Sequence, residues 1–133
     1  MSKPKRRNIA RRKRRKRNKL GYDTHHIFFQ KRRWDHGVLK ILRNHWYCKI
    51  KLPKETLHKQ IHDKIKTVPV AHELSVACAL EQISILEKRG AIAPDDSIEQ
   101  RLVLLIALFE CIEEKTADAL KKQLEIVREF KGP

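Results

Sequence analysis

Six of the seven histidines of this chain fall between His25 and His62, and their spacing constrains the fold more than any other feature. His25 and His26 are adjacent. His58 and His62 are four residues apart in a stretch that reads as a helix, where side chains at i and i+4 leave the same face. A doublet followed downstream by such a pair can close a metal site. Asn44 lies between the two pairs.

The intervening residues supply elements on which those histidines could stand. His26 to Phe29 is a short apolar, aromatic run suited to a strand. Trp34, Val38, Ile41 and Leu42 recur at helical spacing, interrupted by Gly37. Trp46, Cys48, Ile50 and Leu52 then alternate with Tyr47, Lys49 and Lys51, the period of a strand whose first set is buried and whose second faces water. Pro53 stops that strand and opens a helix. In it Leu57, Ile61 and Ile65 form an apolar row, with His58 and His62 one position further round. The order is strand, insert, strand, helix, with histidines at both ends.

After an extended connector at Val68, Pro69 and Val70 the pattern is helical. A helix over about 75–89 buries Val76, Ala79, Leu80, Ile83 and Leu86 and stops at Gly90. Ser97 and Gln100 fit a capping box for a helix over about 98–113. That helix is apolar nearly all round and is expected to be the central buried one. Thr116 is expected to cap a last helix with the stripe Leu120, Leu124, Val127 and Phe130. The fold class is therefore α+β. A hairpin–helix unit at 21–67 is carried on a C-terminal bundle of about three helices at 68–133, and a basic arm at 1–20 is expected to be disordered when free.

Charge separates the same segments. Residues 1–20 carry 12 Lys/Arg and no acid, residues 21–66 have a net charge of +7, and residues 67–133 have −4, within a total of +15. A basic field beside a candidate site favours a polyanion, nucleic acid first. The candidate contacts are Lys5, Arg6, Arg7, Arg11, Arg12, Lys13, Arg14, Arg15, Lys16 and Arg17 in the arm, and Lys31, Arg32 and Arg33 in a second cluster. A membrane surface suits the arm less well, because it lacks apolar residues to insert. Cys48, Cys78 and Cys111 are odd in number and include no CxxC pair. That argues against a zinc ribbon or a disulfide framework and for a reducing compartment. No apolar run approaches the length of a membrane span.

Neutral imidazoles suit zinc and other late first-row divalent ions, and three of them leave coordination positions open, as a catalytic site requires. A fourth histidine beside the ion could serve as a general base. His36 and His45 read as surface or packing residues, His72 in its Pro/Val connector carries no signal, and Trp34, Trp46 and Tyr47 suit core positions better than base stacking. Asp23 could orient His25 or be an exposed loop residue.

Asp23-Thr24-His25-His26-Ile27, then Asn44, then Leu57-His58-x-x-Ile61-His62, resembles the HNH endonuclease family with its ββα-metal fold. The resemblance covers about residues 22–66. It implies one divalent ion (Zn, Mg, Mn or Ni) held between hairpin and helix, and hydrolysis of phosphodiester bonds in DNA, with RNA as a possible partner. By the same resemblance His25, His58 and His62 are the metal ligands, His26 is the general base, and Asn44 orients the loop or the base. The sequence departs from the family's pattern in three ways. The gap between doublet and helix pair is long, Gln30-Lys31-Arg32-Arg33 follow the doublet, and the insert from Trp34 to Leu42 has no counterpart. The chain as a whole also looks like small proteins of phages and mobile elements. Such a protein would work in a bacterial cytoplasm, and a eukaryotic one would be nuclear. A non-catalytic, HNH-derived nucleic-acid-binding module is the alternative.

Overall fold

The computed structural model describes residues 21–130, so the arm and its ten candidate cations lie outside the described residues. Two antiparallel strands pair as β1 (Tyr22–His26) and β2 (Lys49–Pro53), with His25 opposite Ile50 and His26 opposite Lys49. The ladder runs one step past each end. Lys54 N–H donates to the Gly21 carbonyl at 2.8 Å, and Ile27 N–H donates to the Cys48 carbonyl at 2.8 Å. β1 thus starts earlier than the run His26–Phe29 suggests. Ile27, Phe28 and Phe29 instead leave the strand and sink into the core. On the inner face of the hairpin the pleat places His25 with Ile50, and Asp23 with Leu52.

Between the strands lies an insert containing α1 (Gly37–Arg43) and a 3₁₀ turn at Trp46–Cys48. Trp34 is fully buried just before α1, where its indole N–H donates to the Val68 carbonyl at 3.1 Å. α1 buries Leu39 and Leu42 and leaves Ile41 exposed, so its inner face is rotated from the expected one. The expected strand alternation also fails before Lys49. The His45 ring accepts from Tyr47 N–H at 3.0 Å, winding Trp46–Cys48 into the turn, so Tyr47 points inward with Cys48. The Tyr47 hydroxyl meets the Asp96 carboxylate at 3.1 Å.

Pro53 ends β2, and α2 (Leu57–Lys64) starts after Thr56 and lays Leu57 and Ile61 on the core. Three longer helices follow as α3 (Glu73–Lys88), α4 (Ile98–Glu110) and α5 (Glu114–Glu129). α3 buries Val76, Ala79 and Ile83. Gly90, at φ 69°, follows it, and the bonds Gly90 N–H to Glu87 O and Ala91 N–H to Leu86 O close a Schellman motif. The capping box at α4 forms as the spacing indicates. Gln100 N–H donates to Ser97 Oγ at 3.1 Å, and Ser97 N–H donates to Gln100 Oε1 at 2.7 Å. Val103 stays exposed, so α4 is not buried all round. Glu113, not Thr116, occupies the cap position of α5, and Thr116 is buried inside the first turn.

α4 and α5 pack along each other, α5 also packs on α2, and α1 packs on α3. The buried apolar side chains from Ile27 to Ile126 form a single cluster. Arg101 on α4 stitches it at one edge. Its guanidinium donates to the carbonyls of Asp96, Trp46, Lys49 and Pro94 at 2.6–3.0 Å. None of the described helices is long and apolar enough to cross a membrane. The cysteines are free, Cys48 buried and the other two exposed.

Candidate metal centre

His25 enters from the inner face of β1, and His58 and His62 from one side of α2. Because Leu57 and Ile61 bind α2 to the core, the next row of the helix is turned toward β1. The three rings meet edge to face. Centroids are 5.1 Å apart for His25–His58, 5.4 Å for His25–His62 and 4.5 Å for His58–His62. One ring nitrogen from each lies within 4.8 Å of the others. Nitrogens around a shared ion at about 2.1 Å stand roughly 3–4 Å apart. Side-chain rotations that close the set by about 1 Å would bring these three to ligating distance.

Each imidazole has a distinct environment. His25 is fully buried. Its Nε2 lies 2.7 Å from Oε1 of Gln123 on α5, whereas its Nδ1 has no hydrogen-bond partner among the described residues. A buried ring nitrogen left without a partner carries a desolvation cost that a metal ion would relieve. Burial, opposed by the Gln123 bond and reinforced by the neighbouring histidines, pushes His25 down to about 3. The ring is therefore neutral at physiological pH, as a ligand must be. His62 is lowered by burial and then by His58. His58 Nδ1 stands 3.4 Å from the Asp23 carboxylate. That contact sets Asp23 beside the His58 ring and leaves Nε2 as the ring nitrogen not engaged with the carboxylate. Asp23 thus pairs with His58, where the sequence suggested His25. Phe29, against both His25 and His62, closes one side of the cluster. The donor set and the orphaned Nδ1 fit a late first-row divalent ion.

His26 follows His25 on β1, so the pleat sends it off the other face, opposite Lys49. It stands beside the cluster rather than within it. Burial lowers it to about 4, and Arg43, Lys49, His58 and Lys31 add to the shift in that order. Arg43 Nε is itself buried without a hydrogen-bond partner among the described residues. Lys31, Arg32 and Arg33 are exposed on the segment after the core-seeking Phe29.

Asn44 is placed elsewhere. It is exposed at the end of α1, and its amide donates to the Lys40 carbonyl at 3.0 Å. Three further histidines serve at helix starts. His45 and His72 accept from backbone N–H groups with Nδ1, and His36 holds the cap position of α1. An open cleft of about 510 Å³, lined by Trp46, Lys49, Pro94 and Arg101 among others, contains none of the three clustered histidines. The Arg101 guanidinium in it is already bonded to four backbone carbonyls.

Sequence reasoning missed Gln123, Arg43 and Lys49 as neighbours of the histidines. The one available signal for Gln123 was a polar residue inside the apolar stripe of α5. No family model matches the chain, and no curated protein and no solved structure matches it.

Proposed function

We propose that the chain is a divalent-metal-dependent endonuclease of the HNH type, with His25, His58 and His62 as ligands and DNA as substrate. The observation that carries this reading is the convergence of three imidazoles from a strand and a helix, one of which, His25, has a buried Nδ1 without a partner among the described residues. Its support from topology is the order β1, β2, α2, with α2 packed on β2. A divalent ion bound there would stabilise charge on a scissile phosphate and on the leaving oxygen.

The chain's own groups would do the rest. Arg43, Lys49 and Lys31 give His26 a positive setting that draws in a phosphodiester. His26 is neutral at physiological pH and so has a free nitrogen to take a proton from water. A phosphate seated among those cations would offset their charge and raise the basicity of His26 when substrate is present. Asn44 has no role in this arrangement that its contacts support.

Plasmid nicking with added magnesium, manganese, nickel or zinc tests the proposal. Wild type should cut with at least one of these ions. His26→Ala should keep metal, fold and DNA affinity while cleavage falls by about 10²–10⁴, the usual worth of a positioned base. His58→Ala should lose metal and cleavage together. A wild-type protein that binds DNA and cuts with none of these ions would leave the non-catalytic binding module in its place.

A further inference from the structure

Gln123 is fully buried in the apolar stripe of α5, beside Leu124 and one turn from Leu120. A neutral amide in a core is costly unless both of its ends are bonded. Here both are, to residues far away in sequence. Nε2 donates to the Ile27 carbonyl at 3.3 Å, and Oε1 lies 2.7 Å from His25 Nε2.

These two contacts leave no freedom in the direction of the amide or in the protonation of the ring. A backbone carbonyl only accepts, so the amide nitrogen must face Ile27. The amide oxygen then faces His25, and it too only accepts. His25 Nε2 must therefore carry the hydrogen. A neutral imidazole has one ring hydrogen, so the lone pair sits on Nδ1, the atom without a partner.

We propose that Gln123 is a positioning residue for the metal centre: it holds His25 in the Nε2–H tautomer, presents Nδ1 as the ligand, and so makes ion affinity depend on the seating of α5 against β1. The inference rests on the metal reading above and deepens it. The same amide grips the backbone one residue beyond β1, so it fixes the ring and the end of its strand together. By reciprocity, an ion that needs α5 in place protects α5 from opening.

Two measurements decide it without recourse to nuclease activity. The first is the ¹⁵N NMR pattern of His25 in the metal-free protein, which should show hydrogen on Nε2. The second is zinc affinity, measured by competition with a chelating dye, for wild type, Gln123→Leu and Gln123→Glu. Leu removes the acceptor and should weaken binding by about 10–100-fold, the usual effect of losing a partner that orients a ligand. Glu keeps an accepting oxygen toward His25 whether charged or protonated and should bind within about threefold of wild type. A purely packing role predicts the reverse order, because Leu suits a core and a carboxylate does not.

Hydrogen on Nδ1, or a Leu variant that binds as tightly as wild type, overturns the inference while leaving the metal centre standing. Should Gln123→Leu fail to fold, Gln123→Glu decides: a loss of tenfold or more overturns the inference, and near-wild-type binding supports it. A wild-type protein that binds no zinc overturns the metal centre and the inference together.

Discussion

Acidification of the metal-free protein should unfold it from the histidine cluster outward. In an unfolded chain His25 titrates near 6.5, and in the fold it is held at about 3. Between those values the unfolded chain binds a proton that the folded chain refuses, so stability is present above pH 6.5 and is lost as pH falls toward 3. At pH 5 the difference amounts to about 2 kcal/mol relative to pH 7, worked from one proton and the two pKa values. His26 and His62 are lowered as well and act in the same direction. Urea denaturation in a metal chelator at pH 7 and pH 5 measures the effect, and His25→Leu isolates the share of His25. Wild type should lose at least about 2 kcal/mol, and the Leu variant should lose about 2 kcal/mol less than wild type. Equal wild-type stability at the two pH values, or an unchanged pH dependence in the variant, would refute the claim that burial keeps this ring neutral.

Asp23→Asn should weaken zinc binding by roughly 10–100-fold with little change in stability, since the carboxylate stands 3.4 Å from His58 Nδ1 at a partly exposed position from which it can orient the ring; isothermal titration alongside urea melts checks both. Arg101→Met should cost about 3–5 kcal/mol, because it strips four backbone carbonyls of their donor, and a cost under 1 kcal/mol in urea denaturation would contradict that account. Deleting residues 3–19 should flatten the salt dependence of DNA affinity from a slope of about −4 to −5 in log K against log salt, if the arm engages roughly five phosphates. An unchanged slope would show that the arm does not touch DNA.

The elements that sequence made legible are those whose signals are local. The i, i+4 pair His58–His62 beside the Leu57–Ile61 row, and the Ser97–Gln100 box, depend on residues within one or two helical turns of each other, and both form as read. The misreadings fall where a distant or subtle partner decides. Tyr47 continues an alternating pattern, yet a histidine ring capping its N–H winds the backbone and turns the phenol inward to Asp96. Thr116 has the chemistry of a cap, but Glu113 starts the helix earlier and buries the threonine. Asp23 stands two residues from His25 on β1 and serves His58 across the gap to α2. Gln123 was beyond reach by local reasoning, because its two partners lie 96 and 98 residues away.

That separation sets an order of events during synthesis. A ribosome releases the doublet and the helical pair long before residue 123, so a nascent chain displays the histidines without the amide that aims His25. Until α5 docks, His25 is free to adopt either tautomer, and the nitrogen that faces the other two rings is not chosen. A cell making this protein would therefore carry growing chains that hold an ion weakly, and tight retention would arrive only with the finished fold. On the nuclease reading proposed above, such a delay withholds cleavage until the fold that aims His25 is complete.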